Sequence, residues 1–294
     1  MPRVTGPTIA RWRLGKELRR LREARELTYE DAGRHLDCSP SKIRKIEAAE
    51  VGMKRSELKD LLELYKVEDQ QLIDLMYEMQ RLGKQRGWWV PLGQMPKQTA
   101  HFLSLESDAR RIRTFVPLMV PGLLQTEEYA RALDAMCTFY TPEERERTVQ
   151  IRMARQEAFW RERKERDPSK LWVIVDEAAL RRPVGKDPAV MRGQLMHLLE
   201  LSEQFIFQIV PFEAGSYPGT VGQFTICEFD EDIHSPVVFT DGQAGITYVE
   251  DPEEVERATR VFNHTAAVAL SPAQSGQKIL AILSEMAKSQ GGEI

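Results

Sequence analysis

Hydrophobic positions near the start of the chain recur at helical spacing. Between Ile9 and Glu26, Leu14, Leu18 and Leu21 fall at i, i+4 and i+7, while Arg11, Arg13, Lys16, Arg19, Arg20, Arg22 and Arg25 crowd the other faces. That pattern predicts a basic amphipathic helix. Thr28 reads as the N-cap of a second, short helix reaching Leu36, with Asp31 in the capping-box position. Asp37-Cys38 forms a turn, and Ser39-Pro40 opens a third helix running through Glu47. Proline suits that first position because its missing N–H would be unpaired there anyway. Helices at 56–65 (Leu58, Leu61, Leu62, Tyr65) and 68–86 (Leu72, Leu75, Met76, Met79) complete a five-helix module that Gly87 ends.

Residues 88–100 (WWVPLGQMPKQTA) show no helical period and read as an ordered connector, since aromatic side chains of that size rarely lie free in water. A helix is predicted at 101–113, a turn at Pro121-Gly122, and a helix over 127–136 capped by Thr126. A long charged helix follows at 142–166, with Val149, Met153, Gln156 and Trp160 on one face. The period then changes. Segments 171–177, 205–212, 222–230, 235–241 and 245–251 read as strands, with helices at 187–203, 252–269 and 272–289. The expected architecture is an all-α N-terminal helix-turn-helix bundle plus a C-terminal α+β domain with a mixed sheet. Its predicted boundaries are 1–87, a linker at 88–100, and 101–294.

Composition sharpens this picture. At 294 residues, with 42% hydrophobic and 29% charged positions, the chain suits two globular domains rather than a disordered or fibrous protein. The net charge of -4 hides an asymmetry: residues 1–87 carry 19 Lys and Arg against 15 Asp and Glu, and the remainder 22 against 30. A basic module is thus carried on an acidic one. The longest apolar stretch, Phe115 to Leu124, is broken by Pro117, Pro121 and Gly122, so no membrane span is expected. The N-terminus lacks a signal peptide's apolar core, and three scattered cysteines (Cys38, Cys137, Cys227) suit a reducing compartment. A cytoplasmic, nucleoid-associated protein is expected. Histidines 35, 101, 197, 234 and 264 show no metal-ligand spacing, and neither metal nor cofactor is expected.

Two short helices joined by a tight turn, after a basic helix, describe a helix-turn-helix. The stretch LTYEDAGRHLDCSPSKIRKIE (27–47) resembles the Xre/Cro/phage-repressor family, with its lambda-repressor-like bundle. Gly33 stands where the second motif helix crosses the first; Asp37 stands at the turn, usually glycine, where positive φ is needed. With Ile43 and Ile46 facing inward, helical geometry places Ser41, Arg44, Lys45 and Ala48 on the opposite face. Ser41, Arg44 and Lys45 are the expected base contacts, since Arg and Lys donate to guanine O6 and N7. Thr28, Tyr29, Ser39 and Lys42 are the expected phosphate contacts, with surface packing the alternative for Tyr29. A Glu inside a DNA-reading helix would be repelled; the resemblance implies that Glu47 instead pairs with Arg22 as a structural ion pair.

Further on, VPGLLQTEEYARAL (120–133), RMARQ (152–156), VDEAALRRPVG (175–185), QLMHLLEL (194–201) and QIVPFEAGSYPGTVGQFTICEF (208–229) occur in order. They resemble the C-terminal domain of unknown function shared by many actinobacterial Xre-type regulators, the Streptomyces-type developmental and antitoxin-like proteins. The resemblance implies a transcriptional regulator of a double-stranded DNA operator with a small acidic partner protein. The alternative is an antitoxin-like protein that neutralises a small partner and autoregulates. A homodimer is expected because one module making few phosphate contacts binds weakly at cellular salt. The PGLLQT segment and the loop 213–222 are candidates to line a small-molecule ligand pocket or a partner groove, against the plainer reading of chain turns. Gly122, Gln125, Arg152, Arg155, Gln156 and Tyr217 are the candidate ligand or partner site, against the plainer reading of turns and internal pairs. Catalysis is not expected. Asp176 and Glu177 are adjacent at a strand end and would point to opposite faces unless the strand has ended, and no nucleophile elbow or phosphate loop accompanies them.

Overall fold

The computed structural model describes residues 7–85, 90, 93, 95–164, 170–230, 234–242 and 245–290. The chain forms two compact units. One comprises Met1–Val90, Ala100–Ala109 and Phe229–Ser235, the other Pro91–Thr99, Arg110–Glu228 and Pro236–Ile294. The division is therefore not a single cut in the sequence.

The first unit holds α1 (Pro7–Ala24), α2 (Tyr29–His35), α3 (Pro40–Glu47), α4 (Arg55–Leu64) and α5 (Gln70–Leu82). Their apolar stripes meet in one core around Leu18, Ala32, Ile43, Leu58, Leu61, Tyr65 and Met76. The helix starts are chemically specified. Thr28 and Asp31 form a reciprocal capping box, Ser39 accepts from the Lys42 N–H, and Asp69 accepts from Gln71 and Leu72. Helix α5 stops at Leu82, with Gly83 as its C-cap, short of the expected Arg86, which lies outside the described residues. Segment 229–235 joins this unit through α1: His234 stacks on Trp12 at 3.7 Å, Phe229 meets it edge-on at 5.2 Å, and Arg13 pairs with Asp230.

The second unit is built on a six-stranded mixed sheet in the order β3-β2-β1-β4-β5-β6. Its strands are β1 (Arg111–Val116), β2 (Leu171–Asp176), β3 (Ile206–Val210), β4 (Phe224–Glu228), β5 (Val237–Gly242) and β6 (Gly245–Val249). The first three run parallel, and β4, β5 and β6 continue antiparallel. Strand β1 corrects the sequence reading of a helix over 101–113. Helix α6 (Lys97–Asp108) begins within the segment read as linker and ends early; RIRTFV then enters the middle of the sheet. The helical spacing of Leu105, Ala109 and Ile112 concealed a period-two run, in which Arg111 and Arg113 both reach Glu228 on β4 at 3.6 and 2.6 Å. Trp88 and Trp89 lie outside the described residues.

The remaining helices are α7 (Glu127–Asp134), α8 (Pro142–Lys164), α9 (Glu177–Arg181), α10 (Pro188–Leu201), α11 (Pro252–Val268) and α12 (Pro272–Gln290). Helix α11 covers one sheet face, where Phe262 packs edge-on against Trp172 and Phe224 in a core with Phe115, Ile174, Ile226 and Val238. The alternate residues Val173, Val175, Phe207, Ile209, Cys227 and Val237 are buried as well, so the sheet is covered on both faces.

Candidate nucleic-acid interface

The crossing of α2 and α3 rests on two backbone requirements. A Cβ on Gly33 would sit 2.8 Å from the Cys38 carbonyl oxygen and 3.2 Å from the Pro40 nitrogen, so no side chain fits. Asp37 adopts φ 49°, the left-handed conformation that Asp tolerates better than most side chains. A third contact escaped the sequence reading. Helix α1 crosses the end of α3 at Gly15, where a Cβ would collide with the Glu47 carbonyl and lie 3.0 Å from the Ile46 oxygen. A glycine inside a helix was the available signal. Gly15→Ala should gain up to about 1 kcal/mol in helix propensity, but the clash with rigid backbone costs more, about 1–3 kcal/mol. A lower urea midpoint at unchanged slope is the expected outcome; a higher midpoint would show that α1 can shift freely.

On α3, Ile43 and Ile46 are buried and Ser41, Arg44, Lys45 and Ala48 are exposed on the other side. The charges around this face are mostly paired. Arg22 donates from Nε and NH2 to Glu47 at 2.7 and 2.9 Å and from NH1 to the Leu27 carbonyl at 2.7 Å. The side chains of Arg22 and Glu47 are only 7% and 4% exposed. The Glu47 hydrogen bond holds the Arg22 guanidinium above its ordinary pKa, against the opposing effect of burial. The Tyr29 ring packs beneath two guanidinium groups, Arg22 at 4.2 Å and Arg44 at 5.3 Å from its centroid. Tyr29 thereby supports the side chain expected to read a base.

Two expected phosphate ligands have internal partners. The Lys42 ammonium sits 2.6 Å from Glu57, and the Thr28 hydroxyl donates to Asp31 at 2.7 Å. Burial alone would raise the Glu57 carboxyl, yet Lys42 and the Lys54 N–H outweigh it and hold it below the usual range. Ser39 is exposed at the start of α3, where its hydroxyl accepts from Lys42 N–H at 3.3 Å. Several arginines of α1 are likewise engaged: Arg19 with Glu23, Arg20 with Glu17, and Arg25 with the Tyr65 and Lys66 carbonyls that end α4.

In the second unit the candidate residues fall in two places. Gln156 on α8 donates to the Gly122 and Gln125 carbonyls at 2.7 and 2.8 Å, Trp160 to Leu123 at 3.3 Å, and Gln194 on α10 to Leu124 at 2.7 Å. The PGLLQT segment is thus fastened by three side chains. Gln125 donates to Val120 at 2.7 Å, and its buried Oε1 has no partner among the described residues. Arg155 lies against Gly122, and Arg152 pairs with Asp134 at 3.2 Å. Tyr217 stands elsewhere, its buried hydroxyl donating to Asp176 at 2.5 Å. Burial and that hydrogen bond raise the phenol well above its ordinary pKa. Asp176 ends β2 and caps α9, while Glu177 opens that helix, buried beneath Arg181, Lys278 and the Phe212 N–H.

A cavity of about 750 Å³ opens in the second unit between α11, the β5–β6 hairpin and residues 218–224. It is assembled from segments far apart in sequence. Pro218, Gly219, Val221 and Gly222, in the loop before β4, line it. Among the described residues, no helix is long and apolar enough to cross a membrane, and no cluster of three or more His, Cys, Asp or Glu could hold a metal ion.

Residues 13–76 match the family model of a helix-turn-helix domain, spanning α1 into α5 with the whole α2–α3 face. Residues 99–280, more than half the chain, match a domain of unknown function, DUF5753. The chain belongs to the DUF5753 family. The DUF5753 match contains every strand of the sheet, the PGLLQT segment and the cavity. No curated protein and no solved structure matches the chain.

Proposed function

We propose that this DUF5753 protein is a sequence-specific, Xre-type transcriptional regulator whose C-terminal domain dimerises and senses a ligand or small protein partner. The observation that carries the reading is the exposed row of Ser41, Arg44 and Lys45 on α3, opposite the buried Ile43 and Ile46. A helix so arranged fits the major groove, where Arg44 and Lys45 donate to guanine O6 and N7 and Ser41 completes the contact. Ser39 holds a backbone phosphate at the helix start. Lys42 shares its charge between Glu57 and a phosphate. Asp176 and Glu177 serve structure rather than turnover in this reading, which is supported by the partners that surround both.

Dimerisation follows from energetics: one module making few phosphate contacts binds weakly at cellular salt. An exposed apolar patch supports a protein contact on the second unit. There Met136, Phe139 and Tyr140 face solvent, the two rings 4.7 Å apart. A protein that stays monomeric at micromolar concentration while binding one half-site tightly would overturn this part.

Selection of bound duplexes from a random pool, followed by substitution, tests the reading. Arg44→Ala should weaken the selected site by about 1–3 kcal/mol and relax one base preference. Lys42→Ala should weaken all sequences alike and lower the salt slope by less than the roughly one unit of a free lysine, because Glu57 already neutralises it. An Arg44→Ala protein with unchanged affinity and unchanged base preference would remove α3 from the interface.

A further inference from the structure

The cavity beside α11 has a chemistry of its own. Strands β5 and β6 supply its floor as two cross-strand pairs, Val238 with Val249 and Thr240 with Thr247, and Phe224 continues the floor onto β4. Ala258 and Val261, one turn apart on α11, face that floor. Phe224, Val249, Ala258 and Val261 are only half-buried, so core packing leaves part of their apolar surface open to the cavity. Its volume of about 750 Å³ falls in the range of small-molecule sites. The charges around it cancel. Glu254 and Arg257, which line it from α11, pair with each other at 3.5 Å. Asp241 lines it through its main chain, since Val238 and Thr240 alternate with Phe239 and Asp241 along β5. Its carboxylate therefore stands on the opposite sheet face, where the Arg155 charge acts on it. Asp251, just before α11, spends its carboxylate on the first amides of that helix.

We propose that this cavity binds an uncharged, largely apolar small molecule bearing one hydroxyl or carbonyl group, which the Thr240–Thr247 hydroxyl pair receives. The proposal rests on the reading that the C-terminal domain senses a ligand, and gives that reading a place and a chemistry. The two hydroxyl oxygens lie 2.8 Å apart, on the cavity face of the hairpin. One proton is shared between them; the other, with the remaining lone pairs, is left for a ligand. The pair can thus donate to a carbonyl oxygen, or both donate to and accept from a hydroxyl. Desolvation disfavours a charged head. A carboxylate could reach Arg257 only by taking it from Glu254, and an ammonium could reach Glu254 only by taking it from Arg257. A neutral oxygen group loses less hydration, and a hydrogen bond to the threonine pair offsets that loss. The apolar walls then bury the hydrocarbon body, which contributes affinity in proportion to the area removed from water.

Calorimetry on the full-length protein tests this with three probes of one chain length, each below its solubility or micelle-forming limit: decanol, decanoate and decylamine. Decanol should bind saturably at one site. Decanoate and decylamine, both charged at neutral pH, should bind more weakly by about tenfold or more. Thr240→Val with Thr247→Val removes both hydroxyls while keeping side-chain shape and strand propensity. It should lower decanol affinity by about tenfold. Ala258→Phe fills the cavity and should abolish decanol binding, with the thermal unfolding of the variant checked in parallel. No saturable decanol binding, or equal or tighter binding of either charged probe, would overturn the proposal. So would undiminished decanol binding by the doubly substituted threonine variant or by a folded Ala258→Phe protein. Duplex binding by the same protein is read separately. A protein that binds its operator but no decanol loses this inference alone; one that binds decanol but no duplex loses the regulator reading alone.

Discussion

Glu47→Ala should lower the stability of the helix-turn-helix domain by about 3–5 kcal/mol, the cost of leaving one member of a buried ion pair without its partner. The geometry explains why so large a value is expected. Arg22 places two donors on Glu47 and a third on the Leu27 carbonyl, and both side chains are almost wholly out of water. Removing the carboxylate leaves a guanidinium almost wholly out of water, with only the Leu27 carbonyl and the more distant, half-exposed Glu23 at 3.7 Å, and loosens the group that rests on the Tyr29 ring. The half-exposed Arg19–Glu23 pair offers the contrast, because exposed helix pairs contribute only about 0.3–0.5 kcal/mol. Glu23→Ala should therefore barely move the urea midpoint. Replacing both partners with apolar residues, Arg22→Met with Glu47→Leu, should cost less than Glu47→Ala alone. A loss below about 1 kcal/mol for Glu47→Ala would place the pair in the same class as the surface ones.

Glu177→Gln should destabilise the second unit by about 3 kcal/mol at neutral pH. This carboxylate accepts from Arg181 at 2.6 Å, Lys278 at 2.9 Å and the Phe212 amide at 3.0 Å. It thereby joins the end of β2, helix α12 and the turn after β3. Glu285 and Glu213 remain beside the two cations after the substitution, which keeps the loss at the lower end of the range. Burial by itself would raise the Glu177 carboxyl, but Lys278, Arg181 and the amide together hold it below the usual carboxylate value. A depressed folded pKa means that the stabilisation is fully present above the unfolded value, near about 4.3, and is lost as pH falls through the lower folded value. The gap between wild type and Glu177→Gln should thus be constant near neutrality and close in acid. Hydrogen exchange in β2 and α12 reads it locally. A gap that stays constant down to pH values below the carboxylate range would contradict the assignment.

What could be read from sequence and what could not divides along the distance between contacting residues. Helices α2 and α3 were legible because the signals are local: Thr28 with Asp31, Ser39 with Pro40, and isoleucines three apart. The C-terminal α+β class was legible for the same reason, since β2 and β3 are short β-branched runs bounded by turns. Strand β1 was not, because Leu105 to Ile112 keeps a helical spacing while its true partners, β2 and β4, lie about 60 and 115 residues further on. Gly15 carries no local sign of the α3 carbonyls that press on it. Tyr29 could be placed near the DNA face, but not between two guanidinium groups from different helices. The cavity is the extreme case, since its walls come from a loop, a hairpin and a helix whose juxtaposition exists only in the fold.

The most direct test of the regulator reading is fluorescence anisotropy of the full-length protein on the DNA upstream of its own gene, against a scrambled duplex, across a range of salt concentrations. The account predicts a preference for the upstream DNA that survives near-physiological salt and is lost in Arg44→Ala. Equal binding to both duplexes, falling steeply and alike with salt for wild type and Arg44→Ala, would contradict it.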